Sequence, residues 1–197
     1  MTRGIVLGLT LAQVAARARY LASPQCVAGY YRLNGEKDKL PPYNGGKDPT
    51  AADPFDRWKK PGGKTTNITA DCIGGASWCG GFDRLQEKRF DLYDGWVNTD
   101  SMLMHARGKA SCFVLLDKPT TGAFIVCPSK SPGHKVGHIG VIVEVPAEWD
   151  AEIAECWRLV KVVDVASRGA SRANVETTAA GWYQARKLGG FVRSVMT

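Results

Sequence analysis

Histidine is scarce in this chain, three in 197 residues, and none of the six cysteines forms a C-x-x-C pair. A zinc ribbon or thioredoxin-type redox centre is therefore not expected, and no metal or other cofactor is called for. Six cysteines are also too few for a disulfide-dense secreted scaffold, so mostly reduced thiols are expected. No run of about 18 apolar residues occurs, which leaves no candidate transmembrane span. Internal repeats, low-complexity tracts and βαβ alternation are missing as well. What is present is an ordinary globular composition, 44% hydrophobic and 23% charged, long enough for one full core. A single domain over residues 1–197, as a monomer, is the expectation. Basic residues exceed acidic ones by 26 − 19 = 7, which suits a polyanionic partner such as nucleic acid or an anionic cell wall. No basic helix or recognition motif supports nucleic acid, so that partner is not expected.

The first residues, MTRGIVLGLTLAQVAARARYLAS, combine Arg3, an apolar run and small residues in the manner of a signal peptide. Gln13, Arg17 and Arg19 interrupt that run. Leu11, Val14, Ala15, Ala18, Leu21 and Ala22 recur at helical spacing behind Thr10, a suitable N-cap. A folded amphipathic helix with Arg17 and Arg19 on its polar side is expected, not a cleaved leader.

Residues 34–67 hold ten Gly or Pro residues and read as a long loop insertion. Asp71 can cap a helix through CIGGASWCGGF that ends at Gly80-Gly81, and Asn98 or Thr99 can cap a second through DSMLMHAR to Gly108. The chain then turns to strands: GAFIVCP, GHIGVIVEVP, RLVKVVDVAS and GGFVRSVM. Helices first and strands afterwards indicate α+β, an antiparallel sheet with the N-terminal helices packed on one face.

Among the thiols Cys72 stands apart. At the first turn of a helix, unpaired N–H groups and the helix dipole favour an anion, here a thiolate. Its base must come from His105, His134 or His138. His138 opens an apolar strand that can present it rigidly, whereas His134 lies in a Gly/Pro segment and His105 in the helix after Asn98. The other cysteines read as small core hydrophobes. A Cys72–Cys79 bridge is not expected across two turns of helix. Most of Trp58, Trp78, Trp96, Trp149, Trp157 and Trp182 read as core or rim aromatics, and the basic stretch from Lys59 to Lys64 as a solvated turn or a contact for an anionic polymer.

DCIGG at Asp71–Gly75 and GHIGVIVEV, with Cys72 and His138 separated by 138 − 72 = 66 positions, resemble the D-C-S-G and H-V-G-I motifs of the NlpC/P60 cysteine peptidases. These share a papain-like α+β fold with the CHAP amidases, and both cleave peptidoglycan. YRLNG resembles the family's Y-x-x-G-G segment, TTGAFIVCP its P-G-D-L segment, and VVDVAS the strand bearing the third polar residue. With GWVNTDSM, the string is similar to phage peptidoglycan hydrolases over Thr10 to Ser167. The likeness departs at Ile73, where the motif has Ser, and at Ala123, where it has Asp.

The resemblance implies Cys72 as nucleophile and His138 as base. A third residue would orient the imidazole: Asp164, with Ser167 and Asn174 as alternatives, the carboxylate of Asp164 accepting Nδ1–H. Val162, Val163 and Val165 around Asp164 leave its facing open. Tyr31 and the Cys72 N–H are implied at the oxyanion, beside Asp71. The implied partner is bacterial peptidoglycan, cut by an endopeptidase or an N-acetylmuramoyl-L-alanine amidase, the protein passing from the host cytoplasm to the wall or travelling in a virion. An acyltransferase on the same fold, or a non-catalytic virion or wall-binding component, are the competing readings.

Overall fold

Helix α1, Leu11–Ala22, opens with a reciprocal cap. Thr10 Oγ1 accepts from the Gln13 N–H at 3.3 Å while Gln13 Oε1 accepts from the Thr10 N–H at 2.9 Å, so two otherwise unmatched donors are satisfied. The computed structural model describes residues 6, 8–22, 28–30, 68–70, 72–82, 97–108, 112–129, 137–164, 175–179 and 189–196. The 34–67 insertion lies outside them.

One expectation for α1 is overturned. Arg17 is fully buried. Val14, Arg17, Ala18 and Leu21 stand at i, i+3, i+4 and i+7, so Arg17 lies inside the apolar stripe and not beside it. Its Nη1 donates to the Trp78 carbonyl at 2.6 Å, and its guanidinium carbon sits 4.7 Å from the centre of the Trp78 ring. A planar cation that stacks and donates together can be accommodated where a lysine could not. Arg19 is exposed, as expected, with Nη2 donating to the Val143 carbonyl.

Helix α2, Cys72–Gly80, is buried at every position after Cys72. Gly74, Gly75 and Gly80 give it little intrinsic helicity, so packing must hold it. Its end is the expected one. Gly81 adopts φ 71°, its N–H reaches the Trp78 carbonyl at 3.2 Å, and the Phe82 N–H reaches that of Ser77 at 3.1 Å. This is a Schellman motif, with Phe82 as its buried apolar stop. Helix α3, Thr99–Arg107, is capped by Asn98, whose side chain accepts from the Ser101 N–H while Ser101 Oγ accepts from the Asn98 N–H.

Strands β1 (Ala28–Tyr30) and β2 (Ile68–Ala70) pair in parallel, Ala28 opposite Ile68 and Tyr30 opposite Ala70. The main sheet comprises β3 (Phe113–Leu116), β4 (Phe124–Cys127), β5 (His138–Glu144), β6 (Lys161–Asp164), β7 (Val175–Thr178) and β8 (Gly190–Ser194). Its order is β3-β8-β4-β5-β6-β7, antiparallel throughout. The four expected strand segments yield β4, β5, β6 and β8. β1, β2, β3 and β7 lie outside those segments. RLVKVVDVAS is not one strand: Arg158 and Leu159 close a short helix α4, Ala154–Leu159, and β6 begins at Lys161.

Strand alternation divides the core. Phe124, Val126, Ile139, Val141, Val143, Val163 and Val192 pack with residues of α1, α2 and α3. Ile125, Cys127, Ile142, Val162 and Phe191 form a second cluster on the opposite face, covered by Trp149 and Trp157. Trp157 lies on Phe191 with ring centres 5.9 Å apart and on Trp149 at 5.6 Å. The expectation of helices on one face therefore holds for the first three only. α4 supplies Trp157 to the other face, because both sides of this sheet are apolar and both must be covered. Among the described residues no helix is long and apolar enough to cross a membrane.

Replacing Arg17 by Met removes a buried charged hydrogen bond and a cation–π contact, and should lower unfolding free energy by about 2–4 kcal/mol. Replacing exposed Arg19 by Met should cost under about 1 kcal/mol. Urea unfolding of the two variants measures both, and similar midpoints would contradict the assignment of Arg17 to the core.

Candidate active site

Cys72 is the first residue of α2, half-buried against the helix-side core, and α2 packs on β5. That placement gives the thiol what a nucleophile needs: partial access, and a helix N-terminus that favours the thiolate. Cys79, Cys112, Cys127 and Cys156 are buried and not in disulfides, and their environments are those of core residues.

His138 opens β5, opposite Cys127 of β4. On the other side β6 runs antiparallel, with Asp164 opposite Gly140. Residues 138 and 164 are thus diagonal neighbours on one face, within side-chain reach. His138 Nε2 and Asp164 Oδ1 are 2.5 Å apart, with side-chain exposures of 11% and 18%. The facing of Asp164, which its valine neighbours leave ambiguous in sequence, is decided by this register.

The pairing nitrogen differs from expectation. Asp164 engages Nε2 and not Nδ1. A carboxylate accepting Nε2–H fixes the tautomer in which Nδ1 carries the lone pair, the nitrogen through which proton exchange with a thiol would run. The antiparallel register brings Asp164 within reach of His138 diagonally across the ladder.

Gly140 was not singled out in the sequence, yet it sets that register. A Cβ there would stand 2.6 Å from Val162 Cγ1, 3.1 Å from the Val163 carbonyl oxygen and 3.2 Å from Ile125 Cγ2. Its absence lets β6 close on β5 where Asp164 must meet His138. The available signal was a lone glycine interrupting a β-branched run two residues after a histidine.

His105, the other described histidine, is buried in α3 against Phe113, with ring centres 6.2 Å apart. Tyr31, Asp71, His134, Ser167 and Asn174 lie outside the described residues, as do Cys26, Trp58, Trp96, Trp182 and the stretch from Lys59 to Lys64. Among the described residues no group of three or more His, Cys, Asp or Glu side chains is arranged to hold a metal ion. No family model, curated protein or solved structure matches this chain.

Limited alkylation should modify Cys72 before Cys79, Cys112, Cys127 and Cys156, read by peptide mass mapping. Equal labelling of the five would contradict the placement of Cys72 as the accessible thiol. Gly140→Val should separate β6 from β5 and destabilise the fold by about 1–3 kcal/mol, the usual cost of overpacking, as measured by thermal or denaturant unfolding.

Proposed function

We propose that this protein is a cysteine peptidase or amidase of papain-like, NlpC/P60-type architecture that hydrolyses an amide bond of bacterial peptidoglycan. The observation that carries the reading is the His138–Asp164 pair at the end of a strand on which a helix beginning with Cys72 is packed. A nucleophile on a helix N-terminus, and a base with its orienting carboxylate on adjacent strands, are the parts that thiol-dependent acyl transfer uses. The ordered sequence motifs point to the wall peptide as substrate, and the excess of seven positive charges suits an anionic wall.

In the mechanism, the Cys72 thiol passes its proton to His138 Nδ1 and the thiolate attacks the amide carbonyl. The tetrahedral oxyanion is held by the Cys72 backbone N–H, with the Tyr31 hydroxyl as second donor. Collapse breaks the C–N bond, and the imidazolium returns the proton to the leaving amine. Water, deprotonated by His138, then cleaves the thioester and restores the thiol. Asp164 holds the ring in one orientation throughout.

Alternation places His138 and Asp164 on the face carrying Ile142 and Val162, whereas α2 packs against the face of Ile139 and Val163. Sγ must therefore meet Nδ1 around the end of β5, where the strand stops at His138. That requirement favours, as the second reading, a non-catalytic wall-binding protein that keeps the fold.

Digestion of purified peptidoglycan followed by mass spectrometry of the released muropeptides separates these readings. Wild type should release peptides, Cys72→Ala should release none, and Asp164→Ala should lower the rate by at least about tenfold. Equal release by wild type and Cys72→Ala would overturn the proposal. Binding to the wall without any cleavage would establish the second reading.

A further inference from the structure

The first turn of α3 meets the strand ends that carry His138, by two separate contacts. Thr99, buried, occupies the space over Gly137: a Cβ built on Gly137 would fall onto Thr99 Oγ1 and come within 2.9 Å of the Cys127 carbonyl oxygen. Gly137 is the residue immediately before His138. Its missing side chain is what allows a helix to lie directly against the start of β5.

The second contact is to the exit of β4. Asp100 Oδ1 accepts from the Ser129 N–H at 2.8 Å, and Oδ2 accepts from the Ser129 hydroxyl. Both carboxylate oxygens are used on one residue, a two-point attachment with defined orientation. Ser129 lies two residues beyond Cys127, and Cys127 is the ladder partner of His138. Asn98 and Ser101, which close the capping box, keep the same turn rigid.

We propose that Thr99 and Asp100 are positioning residues for His138. The α3 turn holds the ends of β4 and β5 in the one arrangement that lets the imidazole present Nε2 to Asp164. Neither residue touches substrate, and each acts through the backbone on either side of His138. The functional consequence rests on His138 serving as the base, since a base displaced by about 1 Å can cost up to about a hundredfold in rate.

The test separates the geometry from the reaction. An imidazole N–H donating to a carboxylate gives a low-field proton signal correlated to its ring nitrogen, assigned to His138 by its loss in His138→Gln. Wild type should show it. Asp100→Ala should lose it with an unchanged circular dichroism spectrum, and Asp100→Asn, which keeps one acceptor for the Ser129 N–H, should retain it. Gly137→Ala should lose it too. Should that variant fail to fold, Asp100→Ala and Ser129→Ala decide. On peptidoglycan, Asp100→Ala should lower kcat about tenfold or more with KM little changed, with partial rescue in Asp100→Asn.

Retention of the wild-type signal in folded Asp100→Ala would overturn the inference, as would loss of activity through KM alone. A wild type that shows the signal but cleaves nothing would instead count against the hydrolase reading, leaving the positioning argument standing.

Discussion

A buried guanidinium ties α1 to α2. Taking Arg17 out of water is costly unless its charge is met, and the Trp78 carbonyl and ring meet it in complementary ways: one accepts a hydrogen bond, the other offers a π face. The contact cannot slide without losing one of the two. It therefore sets where α1 lies against α2, and α2, with three glycines in nine residues, has little stability of its own to resist that choice. Because Trp78 lies near the C-terminal end of α2 and Cys72 opens it, the position of the thiol follows from an interaction two turns away. The Schellman end uses the same carbonyl, through the Gly81 N–H. The termination of α2 and its docking are thus one feature.

The sheet imposes the second constraint. Its alternation supplies both apolar faces with core residues, which is why α1, α2 and α3 cover one side and Trp149 and Trp157 the other. Within that frame the two polar residues His138 and Asp164 sit at low exposure, and they satisfy each other. Glycine recurs where backbones must come close. Gly140 admits β6, and Gly137 admits Thr99. The pair is thereby assembled from β4, the strand that precedes β5, and from β6 and α3, which are more distant along the chain.

Much of the fold was legible because it depends on local chemistry. Thr10, Asn98 and Gly80-Gly81 mark helix ends through caps that need only neighbouring residues, and they stand where expected. The β-branched runs that became β4 and β5 are strands by side-chain shape and turn residues at their borders. The misreadings have equally specific causes. Arg17 reads as a surface residue by its charge, whereas its spacing sets it in the apolar stripe. Strands β3 and β7 lie outside the runs that read as strands, and the end of α4, Arg158 and Leu159, falls in a segment that reads as strand. Cys72 and His138 were recognisable by residue type and setting, whereas Gly137, Thr99 and Asp100 carry no chemical signature until the strands are paired.

Helices α1, α2 and α3, the strands β4, β5 and β8, the caps at Thr10, Asn98 and Gly80-Gly81 and the choice of Cys72 and His138 as reactive candidates were determined by the sequence alone, because each rests on properties of a few consecutive residues. The tertiary structure decided which nitrogen of His138 meets a carboxylate, that Asp164 supplies it, and that Arg17 belongs to the core. Those outcomes depend on register and on packing between segments distant in the chain. A one-residue shift of β6 against β5 would turn Asp164 to the other face, and no local pattern encodes that register.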